Sequence, residues 1–102
     1  MKTEEFNIVI CEQIEKCKDT LIKKAAEYAT EDRLHNFKIA AGLQQTTKRN
    51  ALAGMMAKHT ISVYDMCLAN KEFPIDLWEE KITDHINYLL LLRAIIEEEH
   101  SA

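Results

Sequence analysis

The strongest constraint on the fold is a long segment between Leu77 and Ile96 that is apolar on two sides and carries an acidic residue within one of them. At about 100° per residue, one helical face has Trp78, Ile82, Ile86, Leu89 and Ile96. The opposite face has Leu77, Asp84, Tyr88, Leu91 and Ile95, with Glu80 and Asn87 on its flank. A helix with two apolar sides predicts a position inside a helical bundle. Because an unpaired buried charge is costly, Asp84 is expected to be paired, hydrogen-bonded or bound to a metal.

The composition favours a small all-α protein. The 102 residues, 47% of them apolar, include two glycines and one proline, which predicts long helices and a single helical domain over residues 1–102. Three cysteines, an odd number, argue against a disulfide framework and indicate a reducing compartment. We therefore expect a cytoplasmic protein, in the host cytoplasm if the chain is phage-encoded.

Charge and hydropathy exclude two classes of partner. The net charge of −4 provides no basic surface for double-stranded nucleic acid. The longest uncharged apolar run, Tyr88–Leu92, is far too short to cross a membrane, so no membrane partner is expected.

Apolar stripes and breaking residues predict four helices and hence a compact four-helix bundle with three long helices and one short one. The predicted ranges are Glu4–Tyr28, Leu34–Leu43, Lys48–Ala69 and Ile75–Glu99. Thr30 or Asp32 is the expected cap of the second helix, and Thr47 is the expected cap of the third. Asn70 suits a left-handed residue after the third helix, and Pro74 suits the first turn of the fourth.

Carboxylates at helical spacing predict an oxygen-rich site. Glu80 and Asp84 are four residues apart on one side of the fourth helix, and Glu27 and Glu31 repeat this spacing at the end of the first. Two such pairs facing each other suit a hard cation such as Mg²⁺. The cation would bind the phosphates of a nucleotide and polarise a water molecule, and Lys58 is placed to add positive charge.

Two less specific interpretations stay open. In the first, there is no metal site: Asp84 is paired with Lys24, Lys58 or Tyr88, and Glu27 and Glu31 are solvated. In the same way, His59 on the inner stripe of the third helix is more readily a core residue than a metal ligand. No two histidines have the spacing of a helical zinc site.

Four segments carry a resemblance to a known family: Glu27-Tyr28, Arg33–Lys38, Met56–Ser62 and Glu80–Tyr88. Together they resemble small phage and prophage proteins of the MazG-like, all-α nucleotide pyrophosphohydrolase superfamily, in its nucleotide-modification-associated branch. The resemblance implies a MazG-like helical bundle, usually dimeric or tetrameric, that holds Mg²⁺ with Glu and Asp side chains. It also implies cleavage of nucleoside triphosphates to the monophosphate and pyrophosphate.

Carried over to this chain, the resemblance assigns the site residue by residue. Glu80 and Asp84 match the late acidic motif and Glu27 matches the earlier acidic position, so these three are the expected catalytic residues and metal ligands. The expected nucleotide-binding residues are Asn36, Lys58, Asn87 and Tyr88. The strict signature, Glu-Glu-x-x-Glu followed by Glu-x-x-Asp, is not matched, because Thr83 stands where its third Glu would be and the late pair is spaced by three residues.

Three functions from different classes follow. The first is a Mg²⁺-dependent nucleoside triphosphate pyrophosphohydrolase. The second is a non-catalytic protein that sequesters a nucleotide, an anti-defence role for a phage protein, and the third is a helical protein-interaction module with no ligand. A homodimer or higher homo-oligomer is also expected, because three partner helices in so short a chain leave one apolar face of the fourth helix uncovered.

Overall fold

The computed structural model describes residues 1–27 and 32–101, and of residues 24–27 the backbone alone. Its helices are α1 (Thr3–Glu27), α2 (His35–Gln44), α3 (Lys48–Leu68) and α4 (Ile75–His100). The described part contains no strand, so the all-α prediction, with three long helices and one short one, is confirmed. Every predicted helix boundary inside the described ranges agrees within one residue.

The residues at the starts of α2, α3 and α4 can be compared with the predicted caps. The side chain of Thr47 accepts a hydrogen bond from the backbone N–H of Asn50 at 3.1 Å, which confirms it as the cap of α3. Asp32 does not cap α2, because Leu34 occupies the N-cap position and no side chain forms a cap hydrogen bond there. Asp32 Oδ1 instead accepts the N–H of Leu34 at 3.0 Å, before the helix begins, while Thr30 lies outside the described residues. Pro74 stands immediately before α4 with φ −59°.

The prediction of a left-handed Asn70 is wrong. Gln45, after α2, is the non-glycine residue with positive φ (54°) in the described ranges. There the chain reverses within a few residues, and the N–H groups of Gln45 and Thr46 donate back to the carbonyl oxygens of Gly42 and Ala41. After α3 the chain instead leaves in an extended conformation at Ala69 (φ −64°, ψ 137°), which requires no left-handed residue.

The main core joins three consecutive helices, since α2 packs on α3 and α3 packs on α4. Four buried residues form its centre: Leu34, Phe37, Leu52 and Ile95. Partly buried residues of α3 and α4 surround them: Met55, Met56, Tyr88, Leu91 and Leu92. The apolar stripes of the sequence therefore place the core on the expected faces of α3 and α4.

Helix α1 is attached more loosely. In the described part of the chain it packs against α4 and against neither α2 nor α3. Gln13 Nε2 donates to Thr83 Oγ1 at 2.8 Å, Lys16 forms an ion pair with Glu79, and Cys17 is buried. The radius of gyration, 15.8 Å, exceeds the value of about 13 Å typical of a chain of this length, so the bundle is less compact than predicted.

No helix within residues 1–27 and 32–101 combines the length and apolar character needed to cross a membrane.

A network of ion pairs joins the link before α2 to α3 and α4. Lys38 Nζ lies 2.6 Å from Asp32 Oδ2 and 3.1 Å from Glu98 Oε1, and Lys48 Nζ lies 3.2 Å from Glu98 Oε1. The hydrogen bonds from Lys38 lower the pKa of Asp32 and of Glu98 below their usual values. The hydrogen bond to Asp32 raises the pKa of Lys38.

This network predicts a loss of stability in acid. Carboxyl groups with lowered pKa stabilise the folded state above their unfolded pKa, and this contribution is lost as the pH falls through the lower, folded pKa. Lys38→Met should therefore reduce the difference between urea midpoints measured at about pH 7 and about pH 3. Lys18→Met, which breaks the exposed pair with Glu15, should leave that difference unchanged. An unaltered acid dependence in Lys38→Met would contradict this role.

Candidate functional site

Asp84 lies at the boundary between two cavities. It is half-buried on α4 and contributes to the walls of a small cavity of about 100 Å³ and of an open groove of about 740 Å³. Within the described residues Asp84 has no hydrogen bond and no ion pair, so pairing with Lys58 or Tyr88 is not observed. The side chain of Lys24 lies outside the described residues.

The smaller cavity, here called the inner cavity, is where all four helices meet. Its apolar wall comes from Leu21, Phe37, Met55 and Leu91. Its polar wall comes from Arg33, Asn36, Asp84, Asn87 and Tyr88. Polar groups from the α1–α2 link, α2 and α4 thus converge on one cavity that also has an apolar wall, an arrangement typical of a ligand site.

Asn87 is the most unusual residue of this cavity. It is only 4% exposed, and neither its amide nitrogen nor its amide oxygen has a hydrogen-bond partner among the described residues. Leaving a buried polar group unsatisfied costs about 1–3 kcal/mol, and native proteins rarely accept that cost. Arg33, whose Nη2 atom is also buried, lies on the same wall. The inner cavity therefore presents an unused donor and an unused acceptor side by side.

Aromatic packing positions Tyr88 at the edge of the inner cavity. The rings of Tyr88 and His59 have centroids 4.8 Å apart and planes tilted by 33°. His59 is half-buried between α3 and α4, which agrees with its interpretation as a core residue. Because the two rings support each other, the orientation of Tyr88 is set by α3 as well as by α4.

The larger space, here called the groove, runs between α1 and α4. Thr20, Ile22 and Thr83 line part of it. The remaining lining residues are charged: Asp19, Asp76, Glu79, Glu80, Asp84, Lys16 and Lys23. Glu80 and Asp84 reach the same groove because they are one helical turn apart, as the sequence predicted. The groove is predominantly acidic.

The predicted site residues are brought together only in part. Asn36, Asp84, Asn87 and Tyr88 meet at the inner cavity, whereas Lys58 is exposed and lines neither space. The side chain of Glu27 lies outside the described residues, and so does Glu31, so the predicted set Glu27, Glu80 and Asp84 is not tested. The described residues hold no cluster of three acidic, histidine or cysteine side chains suited to a metal ion.

Sequence reasoning missed other wall residues. Arg33 lines the inner cavity, and Asp19 and Lys23 line the groove, but none of the three was among the predicted site residues. Their place in the two cavities depends on how α1 and the α1–α2 link pack against α4, and no local pattern encodes that packing.

Comparison with protein-family models, with curated proteins and with solved structures gives no match to this chain. The resemblance to the MazG-like superfamily therefore stays a prediction from the sequence. Fold and site together define an all-α helical bundle with a polar inner cavity and an adjoining acidic groove.

Proposed function

We propose that this chain binds a nucleotide, with part of the ligand in the inner cavity against Asn87. The observation that supports the proposal is the buried Asn87 amide with both polar atoms unsatisfied. The exposed edge of a nucleobase offers a neighbouring donor and acceptor, and such an edge pairs well with a side-chain amide. The apolar floor of the cavity suits the faces of a planar ring.

The inner cavity is too small to hold a whole nucleotide. A volume of about 100 Å³ is small beside the 300–1,000 Å³, roughly, of ordinary ligand sites, so the cavity holds only a fragment of a nucleotide. Asp84 borders the groove as well, and the groove has ample space for the remainder. We therefore place the base in the inner cavity and the phosphates in the groove.

An acidic groove accepts phosphates only with compensating positive charge. Lys16 and Lys23 supply some of it, and the oxygen donors of Glu80 and Asp84 suit Mg²⁺. Within the described part of the chain Asp84 has no partner, which fits this cation, and Glu27 is the proposed third ligand. Bound Mg²⁺ would neutralise phosphate charge and lower the pKa of a water molecule, the chemistry required for nucleoside triphosphate pyrophosphohydrolysis.

Sequestration of a nucleotide without hydrolysis is the second candidate. It is favoured by the departure of residues 79–84 from the strict pyrophosphohydrolase signature, since the residues that line the inner cavity, Asp84 excepted, lie outside that segment. Self-association into a homodimer or higher homo-oligomer also stays a proposal, and it concerns a different surface.

Calorimetry with ribo- and deoxyribonucleoside triphosphates, with and without Mg²⁺, tests the proposed function. We expect at least one nucleotide to bind, and we expect Asp84→Asn to weaken its Mg²⁺-dependent binding at least tenfold, or about 1.4 kcal/mol. Asp65→Asn, an exposed substitution on α3, is the matched control and should bind normally. Release of pyrophosphate separates the enzyme from the sequestering protein. Failure of every nucleotide to bind would refute both.

The melting temperature of Asp84→Asn without ligand adds a second criterion. Removing one partner of a buried ion pair costs about 3–5 kcal/mol, whereas removing an unpaired carboxylate from a cluster of like charges is neutral or stabilising. Because Asp84 has no partner among the described residues, we expect an unchanged or higher melting temperature. A strong destabilisation would show that the carboxylate has a structural role.

A further inference from the structure

Asn87 can pair with the edge of a base in either of two orientations. Its side-chain amide carries a donor group and an acceptor atom, and turning the amide over exchanges their positions. Both are buried and have no hydrogen-bond partner among the side chains that the structure describes, so no contact there selects one orientation. Asn87 alone therefore accepts a neighbouring donor and acceptor in either order, and it does not distinguish one base from another.

Arg33 removes this ambiguity because its side chain only donates. The guanidinium carries several N–H donors in a planar fork and no acceptor, and even a bidentate carboxylate uses only part of them. Its Nη2 atom is buried, and the side chain lines the inner cavity together with Asn87. Since the cavity measures only about 100 Å³, the edge of a ring that enters it lies close to both side chains. Asp84 lines the same cavity, but it also borders the groove, where the proposed Mg²⁺ would occupy its oxygen atoms.

The residues on both sides of Arg33 are held in place. Asp32 Oδ1 accepts the N–H of Leu34 at 3.0 Å, which closes a turn around Arg33. Asp32 Oδ2 lies 2.6 Å from Lys38 Nζ on α2, and Leu34 is buried in the central cluster of the core. Because both neighbours are fixed, the backbone that carries Arg33 has little freedom. This lowers the entropic cost of presenting the guanidinium to a ligand.

We propose that Arg33 is the residue that determines base specificity, by donating to a carbonyl oxygen next to the ring nitrogen that Asn87 binds. Guanine, hypoxanthine, uracil and cytosine each carry such an oxygen, which accepts a charge-assisted hydrogen bond. Adenine carries no carbonyl oxygen, and its exocyclic amino group would place donors against the donors of Arg33. Buried donors without an acceptor reduce affinity, so adenine is disfavoured. This selectivity rests on the proposed function, because the base has to lie in the inner cavity.

Calorimetry with ATP and inosine triphosphate, both with Mg²⁺, tests the proposal. The two ligands share the sugar and the phosphates and differ only at one edge of the base, where hypoxanthine has a carbonyl oxygen and a ring N–H in place of the amino group and bare ring nitrogen of adenine. The wild type should bind inosine triphosphate more tightly by about tenfold or more. Arg33→Met removes the donors and should reduce the ratio of the two affinities to about one. Contacts to the phosphates cancel in this ratio, so it reports on the base alone.

Arg93→Met is the matched control, because Arg93 is exposed on α4 and lines neither the cavity nor the groove; it should keep the wild-type ratio. If circular dichroism shows that Arg33→Met does not fold, Arg33→Gln replaces it and should also lose the preference, since its amide turns over as that of Asn87 does. A wild type that binds ATP as tightly as inosine triphosphate, or a preference that persists without Arg33, would overturn the selectivity and leave nucleotide binding intact. So would a wild type that binds other nucleotides but neither of these two. Failure of every nucleotide to bind would overturn both proposals.

Discussion

Replacing Ile95 with alanine is expected to lower the free energy of unfolding by about 2–5 kcal/mol. Ile95 is fully buried and lies in the cluster with Leu34, Phe37 and Leu52, where α2, α3 and α4 meet. The substitution removes three buried carbon atoms and leaves a space that these neighbours fill only in part. Since domains are stable by about 5–15 kcal/mol, the change removes a large share of the total.

Urea denaturation followed by circular dichroism measures this loss. All variants are compared at one protein concentration, because the stability of a self-associating chain depends on concentration. Leu43→Ala, at a position 82% exposed, is the control and should change stability by less than about 0.5 kcal/mol. A loss below about 1 kcal/mol for Ile95→Ala would mean that this cluster is not the centre of the core.

Asn87→Leu is expected to stabilise the ligand-free protein and to abolish nucleotide binding. Leucine has nearly the shape of asparagine and removes a buried donor and a buried acceptor, neither of which has a partner in the part of the chain that the structure describes. Each such group costs about 1–3 kcal/mol, so a gain of at least about 1 kcal/mol is expected. In a chain of this length, that gain corresponds to a melting temperature higher by about 4–8 °C.

The measurement pairs a melting curve without ligand with calorimetry using the nucleotide that the wild type binds. Asn70→Leu, in the exposed link before α4, is the matched control and should change neither quantity. A destabilised Asn87→Leu would show that the amide is hydrogen-bonded in the free protein. Normal nucleotide binding by the same variant would exclude the inner cavity as the site.

The helices could be predicted from the sequence because the signals for them are local. Apolar stripes set the faces of α3 and α4, and the Thr47 side chain sets the first residue of α3. The left-handed residue was misplaced at Asn70 because backbone conformation after a helix depends on the direction of the next one. Gln45 adopts it where α2 and α3 pack closely.

The site was predictable only in part, for a different reason. Helical spacing places Glu80 and Asp84 on one side of α4, and Asn87 and Tyr88 follow on the same helix. The spacing does not reveal that α1 packs against α4 alone in the described chain, which leaves Asp84 half-buried between a groove and a cavity. The sequence predicted an uncovered apolar face on α4, whereas in the structure the exposed apolar residues also include those of the first half of α1.

The attachment of α1 also has a consequence for the order of folding. Helices α2, α3 and α4 follow one another in the chain and pack in that order, so their contacts close short loops. The bonds from Gln13 and Lys16 to α4 join residues 70 and 63 positions apart, and among the side chains that the structure describes the central cluster contains none from α1. We therefore expect α2–α4 to form a folding unit to which α1 docks last and from which it detaches first. A nucleotide in the groove, which lies between α1 and α4, would slow that detachment and so act kinetically on this helix.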